Sequence, residues 1–263
     1  MRQVIPILRQ VALAVAGIAL LIMVWWLASL TAQAVRIPSP LAVWDAIWVN
    51  LLEMRSVAFV AFGSGGILQN LAHTTWNVLL GVLVGAVLGI AVGVVVGRIE
   101  GVRNVLEPPL LFLGTIPVLV LLPFLSLWFG TSPLATNGLV IFYTFGTVAL
   151  GSQQATMNIS GYFEQYARTL GAGQGRVLTR VIAPAIVPEI LGAVRVALAF
   201  GWGFQAIAEI LGGQVGTGRL LRVLSQSSST AEMLAVVFVL GFVAVMADWL
   251  LVLGGRWLSR WQE

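Results

Sequence analysis

The chain has no cysteine and no lysine, and it has a single histidine, His73. Without cysteine there is no disulfide, thiolate nucleophile or cysteine metal site. One histidine also excludes a histidine-rich metal site within one chain. Because the P-loop pattern G-x-x-x-x-G-K-[ST] requires a lysine, this chain has no P-loop. If the protein depends on ATP, another subunit must bind the ATP and its Mg²⁺.

Charge of either sign is scarce as well. Charged residues make up 9% of the 263 residues and hydrophobic residues 59%, whereas soluble domains are about 25% charged. This balance predicts an integral membrane protein. The long apolar runs favour helices over a barrel, since barrel strands alternate over about ten residues. The formal net charge of +4 comes from arginine and indicates orientation in the membrane rather than nucleic-acid binding.

Six apolar runs are long enough to cross a bilayer, which takes about 20 residues. They are Val11–Thr31, Val78–Gly97, two runs within Pro108–Phe163, about Ile190–Leu211 and about Met233–Gly255. The two runs within Pro108–Phe163 form a hairpin, because Gly130-Thr131-Ser132-Pro133 is typical of a turn. We therefore predict an all-α integral membrane protein with about six transmembrane helices. Residues 1–263 form a single transmembrane domain, with both termini on one side.

Arginine placement selects that side. With both termini inside, nine arginines are cytoplasmic: Arg2, Arg9, Arg98, Arg103, Arg168, Arg176, Arg180, Arg256 and Arg260. Four are outside, namely Arg36, Arg55, Arg219 and Arg222. The positive-inside rule therefore predicts an N-in, C-in topology.

The first run is predicted to be a membrane anchor, and the segment after it is predicted to lie at the outer surface. Ala32-Gln33-Ala34 resembles a signal-peptide cleavage site, but the preceding apolar region exceeds the 7–15 residues of a signal peptide, so an uncleaved anchor is favoured. Residues 36–72 are then an outer amphipathic segment at the lipid headgroups, with its tryptophans at the interface. The apolar residues that share its predicted helical face are Leu41, Trp44, Ile47, Trp48, Leu51 and Leu52.

Glycines and prolines are unevenly distributed over the second and third runs. Glycines recur every four residues in the second run, at Gly81, Gly85, Gly89, Gly93 and Gly97. They predict a close helix contact, either internal, at a dimer seam or on a sliding surface. The third run contains Pro108, Pro109, Pro117 and Pro123, so its helix is expected to be kinked by ordinary packing or to line a cavity.

Ionisable residues within the runs are few, and each is a functional hypothesis by default. Glu209 either lines a route together with Trp202, Phe204 and Gln205 or pairs with Arg219 or Arg222 near the outer surface. Arg195 lies too far from Glu209 along one straight helix to pair with it. Asp248 is expected to pair with, or extend towards, Arg256, and His73 to begin the second span.

The segment between the fourth and fifth runs resembles the EAA loop of bacterial ABC-importer permeases. That pattern is E-A-A, three residues, Gly, nine residues, and I-x-L-P. Here Gln165-Tyr166-Ala167 stands at the E-A-A place, Gly171 follows, and Val181-Ile182-Ala183-Pro184 ends the pattern at the same spacing. The small residues of this basic segment suit close docking, and Pro184 and Pro188 are expected to end its helix before the fifth span.

Further stretches resemble the taurine, alkanesulfonate, nitrate and bicarbonate permease group. They are Pro38-Ser39-Pro40, Pro117, Pro123, Trp128-Phe129-Gly130, Leu170-Gly171-Ala172, Val187-Pro188-Glu189-Ile190, Gly201-Trp202 and Ala208-Glu209. Asn77 departs from the pattern, since an arginine is expected there. The resemblance implies a type I importer fold in the bacterial inner membrane and no enzyme activity in this chain. It implies a homodimer, a cytoplasmic ABC ATPase dimer that carries ATP and Mg²⁺, and an extracytoplasmic solute-binding protein.

Two sets of site residues are predicted, the first from the resemblance and the second from the polar, aromatic and proline residues within the spans. A cytoplasmic coupling loop over about 162–188 contacts the ATPase through Gln165, Tyr166, Ala167, Arg168, Gly171, Ala172, Arg176 and Pro184. A translocation pathway involves Pro117, Phe124, Arg195, Trp202, Phe204, Gln205 and Glu209.

The rival function is a stand-alone enzyme or secondary carrier, which needs more polar residues inside the membrane than this chain has. Substrate hypotheses are a small organic anion (a sulfonate or an aromatic or carboxylic acid), nitrate or bicarbonate, and a vitamin-precursor heterocycle.

Overall fold

The computed structural model describes residues 4–31, 36–54, 65–130, 132–159 and 161–258. Within these ranges the regular elements are helical, including one 3₁₀ turn, Val118–Leu121, and one π-helical turn, Leu178–Ile182. The α-helices are α1 Val4–Thr31, α2 Pro40–Val49, α3 Ile67–Arg98, α4 Glu100–Thr115, α5 Leu122–Phe129, α6 Pro133–Asn158, α7 Gly161–Thr169, α8 Gln174–Val177, α9 Ala183–Leu211, α10 Thr217–Gln226 and α11 Thr230–Leu258. The predicted all-helical fold class is confirmed.

Several sequence predictions concern residues outside the described ranges. Arg2, Arg55 and Arg260 of the orientation argument lie there, as do Ala32-Gln33-Ala34 and Thr131 of the predicted turn. The middle of the predicted outer segment, residues 55–64, is outside them too.

The described helices include five that are long and apolar enough to cross a membrane, and a bent pair that makes a sixth crossing if it is one span. The expected count of about six is therefore confirmed. The third span is bent, as its prolines predicted. Glu100–Thr115 and Val118–Phe129 meet at an angle of 91°. Pro117 explains the break, because a proline disfavours helical backbone in the preceding residue, and Ile116 is extended, with ψ 124°.

The second span starts earlier than predicted. Helix α3 begins at Ile67 rather than Val78, so His73 lies inside the helix and not at its first residue. The polar residues Asn70, Thr74 and Asn77 in this part of α3 are all buried. Their side chains have hydrogen-bond partners inside the protein, which allows the helix to extend through a stretch with little hydrophobicity.

The fifth span also differs from its prediction. Pro184 and Pro188 were expected to end the loop helix, but Pro184 lies in the first turn of α9 and Pro188 lies inside it. Pro184 closely follows the π-helical turn Leu178–Ile182, from which α9 continues, and such turns interrupt the regular i→i−4 hydrogen bonding. Ile186 and Ile190, on either side of Pro188, are buried in one hydrophobic cluster with Ile182. This packing holds α9 together across the proline.

The glycine face of α3 packs against α6, which confirms the internal helix contact among the alternatives. A Cβ atom at Gly85 would lie 2.7 Å from the carbonyl oxygen of Ile141, and one at Gly89 would lie 2.9 Å from that of Phe145. A Cβ at Gly97 would lie 2.9 Å from the carbonyl oxygen of Gln153. Because the obstructing atoms belong to the α6 backbone, only glycine permits this approach.

The chain forms two compact units, Met1–Asn70 with Leu220–Leu240, and Leu71–Arg219 with Gly241–Glu263. In the first unit, Trp25 stacks on Phe238 with ring centroids 5.4 Å apart. Its indole N–H donates to the carbonyl of Pro38 over 3.1 Å. The second unit contains the glycine contact, the segment with the EAA-like spacing and the predicted pathway residues.

Helix α2 in the first unit covers part of the predicted amphipathic segment. Ser39 caps it by accepting a hydrogen bond from the amide of Ala42, and Pro40 occupies its first turn, as is usual for helix starts. Trp44 and Trp48 are more than half exposed. Leu51 and Leu52 do not continue the helical face, because α2 ends at Val49.

We predict that Gly89→Ala lowers the stability of the protein in detergent by about 2 kcal/mol, since the added methyl group meets the α6 backbone. Thermal unfolding followed by circular dichroism measures the change. Gly254→Ala in α11 is the matched control, because a Cβ there meets nothing within 4 Å. Equal effects of the two substitutions would contradict the tight α3–α6 contact.

Candidate functional site

The segment with the EAA-like spacing folds as a helical hairpin. Helix α7 ends at Thr169, and Gly171 follows with a φ of +81°. The amide of Gly171 donates to the carbonyl of Arg168, and that of Ala172 donates to the carbonyl of Ala167. This pair of bonds is a Schellman motif, in which the left-handed residue is usually glycine. Gly171 therefore turns the chain towards α8.

One side of the hairpin faces the protein. Ala167 and Ala172 are half-buried against a cluster that includes Val177 and Ile182. They are the two residues whose amide and carbonyl form the outer bond of the Schellman motif, so the turn and its packing support each other. Pro184 follows at the start of α9 and is half-buried as well.

The other side of the hairpin is exposed. It includes Gln165, Arg168 and Arg176 of the predicted coupling set. Aromatic side chains share this side: Tyr162 is 69% exposed and Tyr166 57%, and their rings stack with centroids 6.3 Å apart. Sequence reasoning did not single out Tyr162, Phe163 and Leu170, which are exposed here as well, although aromatic residues in a polar, basic segment are a signal that could have identified them.

At the other end of α9 lies a buried carboxylate, Glu209, which is 1% exposed. Gln205 Nε2 donates to its Oε1 over 2.9 Å, and the amide of Gly218 donates to its Oε2 over 2.9 Å. The hydroxyl of Thr74 in α3 donates to the same carboxylate, 2.9 Å from Oε2. Neutral donors thus surround a charge that would be costly to bury without hydrogen bonds.

Thr74 connects this carboxylate to the start of α10. Its hydroxyl oxygen accepts the amide of Thr217 over 2.9 Å and lies 3.0 Å from the Thr217 hydroxyl. Because the single Thr74 proton goes to Glu209, the Thr217 hydroxyl donates to Thr74. One threonine therefore joins α3, the C-terminal part of α9 and the first turn of α10.

Glycines let the chain wrap closely around Glu209. A Cβ at Gly213 would lie 2.7 Å from the Glu209 Cα. Gly216 has a φ of +110°, and a Cβ there would collide with the Glu209 carboxylate. The expected pairing of Glu209 with Arg219 or Arg222 is not among the contacts of Glu209 in the described part of the chain. Its hydrogen bonds come from neutral groups, and Arg219 donates to the carbonyl of Gln214 instead.

His73 lies beside this network. Its Nδ1 is 4.0 Å from Glu209 Oε1, and its side chain is 37% exposed. It lines a cavity of about 200 Å³ together with Ser132, Pro133, Thr136 and residues 213–215. Asn77, one turn further along α3, lies 3.4 Å from the amide nitrogen of Asn137, which donates to it. The network thus borders a small polar cavity.

An ion pair between Arg195 and Asp248 lies nearer the hairpin end of α9. Arg195 Nε donates to Asp248 Oδ1 over 2.6 Å, and its Nη2 donates to Oδ2 over 2.8 Å. The expected pairing of Asp248 with Arg256 is therefore wrong. Both partners are substantially exposed, with side-chain exposures of 53% and 37%.

The remaining predicted pathway residues lie in three places: on the packed face of α9, on another face of α9, and in the bent third span. Trp202 and Gln205 are buried with Glu209 on the packed face of α9. Phe204 lies on another face, where it joins Phe200 and Tyr143, and the Tyr143 and Phe204 ring centroids are 4.8 Å apart. Pro117 marks the break in the third span, and Phe124 is about half exposed on α5.

A group of three or more histidine, aspartate or glutamate side chains that could hold a metal ion does not occur among the described residues.

A family model and the most similar curated proteins agree on one family. A family model described as "Binding-protein-dependent transport system inner membrane component" matches residues 81–263. The taurine transport system permease protein TauC of Escherichia coli (strain K12) is 29% identical over 257 residues, which cover 97% of this chain and 90% of that protein. The riboflavin transport system permease protein RibX of Chloroflexus aurantiacus is 30% identical over 246 residues, 92% of this chain and 88% of that protein.

The fold is also found among solved structures. An inward-facing structure of the MetNI methionine ABC transporter aligns with a TM-score of 0.59 at 18% sequence identity. The alignment covers 79% of this chain and 98% of that chain. At this identity the likeness shows the fold alone, and the fold is that of a type I ABC-importer permease.

We predict that Thr74→Val destabilises the protein by about 1–3 kcal/mol, because it removes the donor to a buried carboxylate and the acceptor for Thr217. Thr74→Ser keeps the hydroxyl and is expected to lose less than half of that. Thermal unfolding in detergent compares the two, with Thr75→Val at the neighbouring, less buried threonine as the control. If Thr74→Ser were as unstable as Thr74→Val, the loss would come from packing and not from the hydroxyl.

Proposed function

The chain belongs to the family of binding-protein-dependent transport system inner membrane components, and from that premise we propose how it couples a partner ATPase to solute import. It is a permease subunit of an ABC importer and a multi-pass inner-membrane protein. The proposal concerns its orientation, its partners, its coupling surface and the class of solute.

The proposed topology is N-in and C-in, with the α7–α8 hairpin in the cytoplasm. Arg168, Arg176 and Arg180 in and beside the hairpin support this orientation, because basic residues near span ends are retained inside. The tryptophans of α2 then lie at the outer interface, where their exposed rings suit headgroup depth.

The observation that carries the coupling proposal is the exposed aromatic side of the hairpin. Tyr162, Phe163 and Tyr166 project from α7 next to Gln165 and Arg168. Aromatic residues and arginine are enriched at protein interfaces, and exposed apolar patches mark interaction sites. We propose that this side inserts into the cytoplasmic ABC ATPase, while Ala167 and Ala172 brace it against the membrane helices.

ATP and Mg²⁺ belong to that ATPase in this proposal, since the chain has no P-loop. A second copy of the chain completes the pathway, and an extracytoplasmic solute-binding protein delivers the solute. Closure of the ATPase dimer displaces the two hairpins, and α9 transmits that displacement into the membrane because it continues directly from the hairpin.

The solute is proposed to be a small organic anion, a sulfonate or an aromatic or carboxylic acid. The relation to TauC, whose name specifies taurine, supports this class, as does the aromatic cluster of Tyr143, Phe200 and Phe204. A heterocycle is the second candidate, because RibX, named for riboflavin, is equally similar. Nitrate or bicarbonate is a third, and a secondary carrier is the most distant alternative.

We predict that Gly171→Ala weakens coupling, because an alanine with left-handed backbone costs about 1–2 kcal/mol and reorients the hairpin. The expected result is a several-fold loss of ATPase stimulation by the loaded binding protein in the reconstituted complex. Gly173→Ala is the matched control: its φ is −70°, and a Cβ meets nothing within 4 Å at either glycine. Full stimulation in Gly171→Ala would argue against this hairpin as the coupling element.

We predict further that sulfonates or aromatic carboxylates stimulate the ATPase of the complete transporter, with its binding protein present, more than nitrate or bicarbonate do. Phosphate release under saturating ATP measures the response, and riboflavin is included for the heterocycle hypothesis. Stimulation by nitrate or bicarbonate alone would exclude the organic-anion class.

A further inference from the structure

The Arg195–Asp248 pair lies on an open surface inside the membrane-spanning part of the protein. Arg195 belongs to the span Gln174–Leu211 and Asp248 to the span Thr230–Trp257. The two side chains are 53% and 37% exposed. Charged side chains in membrane spans almost always face the bundle interior or a water-filled cavity, and they pair with one another. This favours an assembly in which the open face of α9 that carries Arg195 borders a water-filled interior.

This face of α9 has two distinct edges. Arg195 and Phe200 are about 140° apart around the helix axis, at about 100° per residue. The exposed small residues Gly192, Ala199 and Gly203 lie between them on the wheel. A Cβ at Gly192 or Gly203 would meet nothing within 4 Å. Val196, which is 48% exposed, lies in the same arc. The face is thus a floor of small and aliphatic residues, with an ion pair to α11 along one edge and aromatic rings along the other.

The aromatic edge is a cluster of three rings. Phe200 lies 5.7 Å from Tyr143 and 6.4 Å from Phe204, measured between ring centroids. Phe200 itself is 56% exposed, so its ring is accessible from the floor. Five residues separate Arg195 from Phe200, which is about 7.5 Å of helix rise. A small acid with an apolar body spans that separation.

The guanidinium of Arg195 is able to bind another anion. A bidentate geometry like the one that it makes with Asp248 also suits a sulfonate or a carboxylate. Two of its five N–H donors are used by Asp248, and it makes no other hydrogen bond to the described part of the chain. Because the pair is half-exposed, water screens it and the contact is weak enough to be exchanged.

We infer that Arg195 is a specificity-determining residue that binds the anionic group of the solute in the membrane, in exchange for Asp248. The apolar part of the solute packs against Phe200 and Tyr143. Asp248 acts as a competitor that re-forms the ion pair when the solute leaves, so Arg195 is not left without a counter-ion. This inference rests on the proposed function and specifies its solute as an anion with an apolar body.

The test uses the purified complex of the permease with its ATPase subunit, free of nucleotide and of binding protein. Isothermal titration calorimetry measures the binding of three probes: benzenesulfonate, methanesulfonate and the neutral benzenesulfonamide. The variants are Arg195→Gln, Arg195→Lys, Asp248→Asn and the exchanged pair Arg195→Asp with Asp248→Arg. Thermal unfolding of each complex reports whether it remains folded.

The inference predicts effects of opposite sign for the two partners. Arg195→Gln weakens benzenesulfonate binding about tenfold or more, as expected when a hydrogen bond to a charged group is lost. Asp248→Asn strengthens it by up to about fivefold, because the competing carboxylate is gone. Arg195→Lys retains part of the binding but loses the bidentate geometry. Tyr143→Leu reduces the preference for benzenesulfonate over methanesulfonate, and benzenesulfonamide binds weakly throughout.

A purely structural ion pair gives a different pattern. In that case Arg195→Gln and Asp248→Asn reduce stability and binding alike, and the exchanged pair restores both. Restored anion binding in the exchanged pair, or unchanged binding in a folded Arg195→Gln complex, overturns the inference. Such a result leaves the coupling proposal intact, because the Gly171→Ala comparison tests that separately. If the loaded binding protein did not stimulate the ATPase of the wild-type complex, the proposed function itself would be overturned.

Discussion

The close contact between α3 and α6 is the interaction on which the rest of the second unit depends. Glycines at intervals of four residues bring the α3 backbone to within contact distance of α6 carbonyls. The other side of α6 packs on α9, and Ala86, Val148 and Ala197 form a small cluster where the three helices meet. In a membrane, where apolar side chains gain little by leaving lipid, such dense packing is a principal source of helix association. It fixes the position of α9.

Helix α9 then joins the functional features of the chain. Its N-terminal end continues from the hairpin with the exposed aromatic side, and its C-terminal end carries Glu209 in a shell of neutral donors. Arg195 and the aromatic cluster lie between these ends on the open face. Because residues of a continuous helix move together, the arrangement suits the proposed transmission of a displacement from the hairpin to the proposed pathway. The Thr74 and Thr217 hydrogen bonds anchor the far end of the helix.

Local sequence signals predicted much of this structure. Apolar run lengths identified the spans, the spacing of Gly81 to Gly97 identified a packing face, and Pro117 indicated a weak point in the third span. The family resemblance located the hairpin by the spacing from Gln165 to Pro184. These features depend on residues close together in the sequence, so composition and periodicity suffice to recognise them.

The features that the sequence did not predict depend on partners far away in the chain, or on packing and hydrogen bonds that offset an unfavourable residue. Asp248 pairs with Arg195, 53 residues away, and not with the nearby Arg256. Pro188 does not end its helix, because Ile186 and Ile190 hold both sides of it in one cluster. His73 and Asn77 lie inside α3, since internal hydrogen bonds satisfy the polar residues that looked like a helix boundary. Sequence patterns count residue types, and they do not reveal which buried partner satisfies each polar group.

Photo-crosslinking from a single cysteine at position 166 shows directly whether the hairpin contacts an ATP-binding subunit. The chain has no native cysteine, so Tyr166→Cys labelled with benzophenone maleimide places a reactive group on the exposed side of the hairpin. In native membranes we expect it to crosslink to an ATP-binding subunit, whereas the same label at Trp44→Cys does not. If position 166 crosslinked to no ATP-binding protein, or gave the same products as position 44, the account of this chain as an ATPase-coupled permease would be contradicted.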